Sequence, residues 1–262
     1  MMPELPDLEV FKTNIFDQLT SKRLTGVEIF NPKKVHAVKE VLVNDLIGRD
    51  LICINRVGKE LFFDFGDNKV ITAHLMLNGK TSIVAEGEID AIKFKIFSMR
   101  FEDENIVFSD RGSLCTIKYK PKSSNTPDAL DSTFTWDYFL DIAYKKRRTN
   151  VKSFLINQKI VKGIGNAYAD EILWLARISP HSLVGKIPED KLKDLYNAID
   201  AVLREAVILI KRISPNAISG EERSFLKVHN RNIKKTSTGY PIIIEKIVSK
   251  ITYFTEEQVL YD

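Results

Sequence analysis

Gln158–Pro180, QKIVKGIGNAYADEILWLARISP, is the stretch that decides the fold of the chain's second half. It reads as a helix, a tight glycine turn and a second helix. Gly163 and Gly165 permit backbone angles that other residues resist, so the chain can reverse between them. Asn166 is a good N-cap for the second helix. Ala169, Ile172, Leu173 and Ala176 then recur at i, i+3, i+4 and i+7, which makes one buried helical stripe. Pro180 marks the stop. A glycine turn opening onto a helix N-terminus offers N–H groups and the positive end of a dipole, which suits a phosphate. The same pattern also serves a helical hairpin whose glycines only allow close packing, and a short glycine motif does not decide between the two.

The neighbouring residues are helical too. Helices are predicted over Trp136–Lys146, Val151–Ile160 and Ala167–Ala176. Pro188 opens a further helix with Leu192, Leu195, Ile199, Val202, Ala206, Leu209 and Ile213 on one stripe, and Pro215 ends it. Ser214–Ser224 reads as a polar loop. The tail reverts to β, with Tyr240–Glu245 and Lys250–Phe254 predicted as a hairpin. Ahead of all this, Pro3 and Pro6 stiffen the N-terminus, and the next element is a helix with Leu8, Phe11, Ile15 and Leu19 on one face. From Thr25 to Lys120 the period changes to two, most clearly in Leu51–Val57, Leu61–Phe65, Lys93–Phe101 and Thr116–Tyr119. Turns are expected at Val57-Gly58-Lys59 and Gly66-Asp67-Asn68. The expectation is an α+β chain of two domains. Residues 1–120 would form an antiparallel β-sandwich or flattened barrel with an N-terminal helix, and 121–135 a linker. Residues 136–223 would form a helical domain, and 224–262 a C-terminal β-hairpin.

At 262 residues, 28% charged and 44% hydrophobic, the chain has the make-up of a soluble globular protein. Cys53 and Cys115 lie far apart in strand-like runs, so they read as buried free thiols, not a disulfide framework or a metal pair. The start, MMPELPDLEV, lacks the basic and apolar regions of a signal peptide, and no apolar run approaches membrane-spanning length. A cytoplasmic or nucleoid-associated monomer with no membrane partner is expected. The net charge of +4 is small, but it is uneven. Residues 231–250 alone, with Arg231, Lys234, Lys235, Lys246 and Lys250 against Glu245, also net +4. Lys145–Arg148 is a second basic run. Each alone is ordinary solvated surface; with the glycine turn they outline a surface for a polyanion such as DNA, with affinity that falls as salt rises.

Several motifs, taken in order, resemble the formamidopyrimidine-DNA glycosylase and endonuclease VIII family over nearly the full length. Pro3-Glu-Leu-Pro-Asp7 with Glu9 is similar to the family's PELPE-x-E start, and Gly58-Lys59-x-Leu61 to its lysine-bearing turn. His74-Leu-Met-Leu-Asn-Gly79 is similar to its HLGMSG segment, and Thr126-Pro-Asp-Ala-Leu130 to its GPDAL. Lys152–Pro180, with Gln158, Gly163, Gly165, Asn166, Tyr168 and Ala169, resembles its helix-two-turns-helix signature. The resemblance implies a base-excision-repair DNA glycosylase with abasic-site lyase activity on oxidised bases. Its partner would be double-stranded DNA containing a damaged base or abasic site. No metal or cofactor is needed for the chemistry.

The resemblance makes Pro3 the nucleophile, whose secondary amine attacks C1′ and forms an iminium. Glu4 becomes the acid/base. Lys59 supports Glu4 or binds a phosphate beside the lesion. Asn166, with Gly165, would clamp the DNA backbone. Leu77 and neighbouring Met76 sit where the family places an apolar wedge that fills the gap left by a flipped base.

The sequence departs from the family in four places. The family's hairpin usually holds zinc through two CxxC pairs, whereas alignment puts Lys235, Thr238, Thr255 and Gln258 at the four positions. None is a thiolate or imidazole. A zincless finger is expected, held by the apolar run Ile242–Ile244 against Ile251 and Phe254. Lys250 takes the place of a phosphate-gripping arginine, keeping the charge without the bidentate fork, and Arg231 adds to the same basic surface. The DPRRFG segment becomes Asp110-Arg-Gly-Ser-Leu-Cys115, in which Arg111 and Leu114 stand in for the family's void-filling arginine and phenylalanine. Ser214–Ser224 is short for a loop that caps 8-oxoguanine, which argues against strict 8-oxoguanine specificity and leaves room for pyrimidines. Finally, Met1 and Met2 precede Pro3, so the amine is free only if both are absent from the mature chain. Initiation at Met2 and subsequent removal of that residue is the expectation. The other reading is a catalytically impaired or non-catalytic binder of damaged DNA on the same scaffold. An RNA-binding or protein-interaction module is a third class, with no residue in its favour.

Overall fold

The computed structural model describes residues 2–122 and 124–262. Met1, expected to be absent from the mature chain, and Ser123 of the expected linker lie outside the described residues. The chain divides into two compact units, Met1–Ser124 with Ile210–Glu221, and Asn125–Leu209 with Glu222–Asp262.

The first unit opens with helix α1 (Leu5–Leu19), in which Leu8, Phe11, Ile15 and Leu19 are all buried, as their spacing predicts. One antiparallel sheet has the order β1 (Leu24–Ile29), β7 (Lys95–Phe101), β8 (Glu104–Ser109), β6 (Lys80–Ala85). The other runs β2 (Val35–His36), β9 (Thr116–Tyr119), β5 (Val70–His74), β4 (Glu60–Asp64), β3 (Cys53–Val57). Within this second sheet β2 and β9 pair in parallel. Phe63 of β4 meets Phe108 of β8 edge-on at 5.8 Å between ring centres and so joins the two sheets, while within the first sheet Phe97 of β7 stacks on Phe108 at 6.4 Å. Such side chains dominate the apolar area that holds a sandwich together.

A short helix, α2 (Lys39–Leu46), interrupts the stretch expected to be purely β. Ser214–Ser224 is also more than a polar loop. Asn14 of α1 donates to the carbonyls of Pro215 and Ala217, both at 2.8 Å, and Thr81 of β6 bonds the carbonyl of Ile218. Ala217 and Ile218 pack against the core of this unit. Of the two thiols, Cys115 is buried but Cys53 only partly so.

The second unit holds α3 (Trp136–Lys145), α4 (Val151–Ile156), α5 (Asn166–Leu175) and most of α6 (Glu189–Ile213), then the hairpin β10 (Ile243–Ile247) and β11 (Lys250–Phe254). Helix α4 is shorter than predicted, because Gln158 begins a turn instead of a further helical turn. On α6 Leu203 and Ile210 are buried and Ile213 is exposed, so the apolar stripe is displaced from the one predicted at its C-terminal end.

Candidate active site and nucleic-acid interface

The N-terminal motif builds a helix start directly behind Pro3. Pro6 lies in the first turn, where its missing N–H costs nothing. The Asp7 carboxylate accepts the Glu4 N–H at 2.8 Å, and an anion there also favours the helix dipole. Pro3 and Glu4 are therefore held at the N-terminal end of α1, both buried.

Lys59 sits in the two-residue turn between β3 and β4. Gly58 has φ +61°, the glycine-first hairpin turn that matches strand twist. Arg56 secures this turn: its Nε donates to Glu9 Oε2 at 2.7 Å and its Nη1 to the Gly58 carbonyl at 3.1 Å. The second glutamate of the opening motif thus holds the lysine turn in place. Lys59 itself is buried.

Between β5 and β6 the chain makes one turn, Leu75–Gly79, closed by the Gly79 N–H on the Leu75 carbonyl at 2.9 Å. Leu77 projects from it and is 51% exposed, whereas Leu75 is buried. After β8, Asp110 organises a second loop. Its carboxylate accepts the N–H groups of Gly112 (2.7 Å), Leu114 (2.6 Å) and Cys115 (2.8 Å), which leaves Arg111 and Gly112 exposed. Burial, with help from the Asp110 charge, pushes the Cys115 thiol up to about 12, so it is no nucleophile at neutral pH.

These loops line a cleft of about 1000 Å³ in the first unit, and Pro3, Leu77 and Arg111 all border it. Glu4, Lys59, Met76 and Leu114 are not part of its lining. Sequence reasoning missed several residues that are: Asn78, Ser82, Phe94, Gly220 and Glu221. Phe94 carried a detectable signal, an aromatic residue at the edge of a predicted strand. It is 56% exposed with φ +58°, and its carbonyl accepts the Asp110 N–H at 2.9 Å. Gly220 and Glu221 carried none, because only tertiary contacts bring residues so distant in sequence to Pro3.

In the second unit Gln158 clamps the glycine turn. Its side chain donates to the carbonyls of Ile156 (2.9 Å) and Ile164 (2.7 Å) and accepts the Gly163 N–H at 2.9 Å. Gly163 has φ +104°. The N-cap of α5 is Gly165, not Asn166: Gly165 takes the extended conformation and Asn166 is the first helical residue. The Asn166 side chain instead donates to the Ile251 carbonyl of β11 at 2.8 Å, tying the turn to the hairpin.

A buried charged cluster reinforces that tie. Asp170 of α5 pairs with Lys152 of α4 at 2.6 Å and with His229 Nδ1 at 2.6 Å, and accepts the Tyr253 N–H of β11 at 2.9 Å. Lys152 also donates to Thr252 Oγ1 at 2.7 Å. The apolar run predicted to hold the hairpin is met only in part: Ile243 and Phe254 pair across the strands and are half-buried. Ile244 and Ile251 face solvent, while Thr252 is fully buried against Lys152. Lys250 and Arg231 are both exposed.

The residues at the expected ligand positions do not fit zinc. Thr255 N–H donates to Gln258 Oε1 at 2.9 Å, and Gln258 Nε2 donates to the Ile178 carbonyl at 2.8 Å, so these polar atoms are committed within the protein. A carboxylate centres the region instead. Glu257 accepts from Trp174 Nε1 at 3.1 Å, from Thr255 Oγ1 at 3.1 Å and from Arg177. Burial pushes its carboxyl up, but bonds from Thr238, Arg177, Trp174 and Thr255 outweigh this and hold it at about 2.

The two halves match two family models in chain order. Residues 2–116 match the formamidopyrimidine-DNA glycosylase N-terminal domain, and residues 126–216 the formamidopyrimidine-DNA glycosylase H2TH domain. The class is that of base-excision-repair DNA glycosylases with a β-sandwich and a helix-two-turns-helix module. A formamidopyrimidine-DNA glycosylase of Carboxydothermus hydrogenoformans is 32% identical over 77% of this chain and 76% of that protein. One of Lactococcus lactis subsp. lactis is 27% identical over 97% of both. Among solved structures, a complex between the Lactococcus lactis Fpg and abasic-site-containing DNA aligns with TM-score 0.83 at 25% identity, covering 97% of this chain and 98% of that one. MutM in complex with DNA containing carbocyclic 8-oxo-G aligns with TM-score 0.84 at 26% identity and the same coverage. This chain belongs to the formamidopyrimidine-DNA glycosylase family.

Proposed function

We propose that the protein is a bifunctional DNA glycosylase and abasic-site lyase for oxidised bases, with Pro3 as nucleophile once Met1 and Met2 are absent from the mature chain. The observation that carries this reading is the placement of Pro3 on the same cleft as Leu77 and Arg111, with Glu4 buried beside it. A free proline α-amine has a pKa of roughly 8, so part of it is unprotonated at neutral pH. Its lone pair attacks C1′ of the damaged nucleotide. The C1′–base bond breaks and the base leaves with the amine proton; the C1′–O4′ bond then breaks as O4′ takes a proton, which leaves the open-chain sugar as an iminium on the proline nitrogen. Glu4 handles the protons of ring opening and of the C2′ position. Loss of the C2′ proton expels the 3′ phosphate; a second elimination expels the 5′ phosphate. Water then releases the sugar fragment and the amine.

The flipped nucleotide enters the cleft, with Leu77 filling the gap in the stack and Arg111 facing the strand left behind. Lys59 supports Glu4 or grips a phosphate beside the lesion. Lys250, Arg231 and the turn at Gly165-Asn166 hold backbone phosphates in the second unit. The short Ser214–Ser224 segment favours a broad oxidised-base range that includes pyrimidines. A chain that keeps Met1 or Met2 has an amide nitrogen at Pro3 and is a binder of damaged DNA on the same fold. Incubation with duplexes carrying single oxidised bases separates the two: release of free base with strand cleavage supports the enzyme. Tight lesion binding with neither product contradicts it.

A further inference from the structure

The turn that presents Leu77 is held by a contact no catalytic role requires. His74, the last residue of β5, accepts the Met76 N–H at its Nδ1 at 3.0 Å. Met76 has φ +56°, a left-handed conformation that a non-glycine residue seldom keeps without support. Gly79 closes the same turn, and a Cβ there would lie 2.2 Å from the Leu75 carbonyl oxygen. The turn is thus supported at its start by His74 and closed at its end by Gly79, with Leu77 between them.

We propose that His74 is a positioning residue for Leu77: its imidazole, accepting at Nδ1, holds the Met76 amide and so fixes the turn that presents Leu77 to the cleft. Such an acceptor must be unprotonated at Nδ1, which leaves the single ring proton on Nε2. The surroundings favour that state. Burial holds the His74 pKa below its ordinary value. Glu60, directly opposite on β4, pulls the other way, and Lys59 of the adjoining turn and Lys118 of β9 oppose it. Lys118 is itself bound to Glu60 at 3.3 Å. The hold on the turn is a property of the free protein; only the use made of Leu77 rests on the function proposed above.

Two amide substitutions test the assignment. Asparagine places an acceptor near the Nδ1 position, and glutamine near Nε2. Amide exchange at Met76 in the free protein is the first readout. The second is the fluorescence of 2-aminopurine beside a stable abasic-site analogue in a duplex, with Leu77→Ala as reference. For His74→Gln, Met76 exchange about three- to tenfold faster is expected, the worth of one net hydrogen bond. The rise in 2-aminopurine fluorescence expected when the native protein binds should be lost in His74→Gln as in Leu77→Ala. His74→Asn should keep both near the native values. A native-like His74→Gln, or a His74→Asn as impaired as His74→Gln, overturns the assignment. If exchange shows the expected pattern while Leu77→Ala leaves fluorescence unchanged, the wedge role of Leu77 fails and the hold of His74 on the turn stands.

Discussion

Arg56 Nε lies 2.7 Å from Glu9 Oε2, and through this pair α1, which starts just behind Pro3, is locked to the turn that carries Lys59. Burial raises the Glu9 carboxyl, but bonds from Lys12 and Arg56 more than offset it, so the group stays below its ordinary value of 4.5. Its contribution is therefore complete above about pH 4.5 and is lost as pH falls through the lowered value. Arg56→Lys keeps the charge but cannot reach Glu9 and Gly58 together. A stability loss of about 1–3 kcal/mol is expected in urea unfolding, with slower cleavage of an abasic-site duplex because the Lys59 turn is loosened.

The Lys152–Asp170 pair has side chains 2% and 0% exposed. Removing one partner strands a buried charge, at a cost of about 3–5 kcal/mol. Lys152→Met and Asp170→Asn should each lower the unfolding midpoint sharply. Each should also weaken binding to undamaged and damaged duplex alike, because both residues anchor β11. Equal stability of the Lys152→Met variant would show that the cluster is not what holds the hairpin.

Glu257, held at about 2 with its side chain 6% exposed, should make the finger region acid-sensitive. The folded value is depressed, so the stabilisation is fully present above about pH 4.5 and is lost as pH falls towards 2. Glu257→Gln should remove about 1.5–3 kcal/mol, the worth of a hydrogen bond to a charged acceptor, and flatten this pH dependence. Unfolding curves from pH 7 down to pH 3 for both proteins check it.

Lys250 and Arg231 are expected to bind phosphates without reading sequence. Lys250→Ala should weaken binding about equally for damaged and undamaged duplex. The slope of log K against log salt should become shallower by about 0.9, the share of a single neutralised phosphate. An unchanged slope would remove Lys250 from the interface.

How far the sequence could be read depended on how local each feature is. The stripe of α1 and the Gly58-Lys59 turn were legible because periodicity and turn chemistry act over a few residues. Helix α2 was not: only Leu42 and Leu46 are buried, a single i, i+4 pair with no capping side chain. Strand β7 was legible as a strand, but not as one with residues 96–99 buried without a break, because a half-buried strand was expected there. The hairpin was read only in part: Ile243 and Phe254 are half-buried as expected, but Ile244 and Ile251 face solvent. Burial of Thr252 is set by Lys152, a hundred residues away, which needs a polar partner that no local pattern announces. Of the site, Pro3, Leu77 and Arg111 were found through motif resemblance, while Phe94, Gly220 and Glu221 needed the folded chain.

The most direct test of the account is borohydride trapping. Protein whose chain begins at Pro3 is incubated with an abasic-site duplex and borohydride, then digested and mapped by mass spectrometry. The account expects a covalent adduct on the Pro3 nitrogen, absent when Met2 is retained. No adduct with an intact Pro3 amine, or an adduct on a lysine such as Lys59, would contradict it.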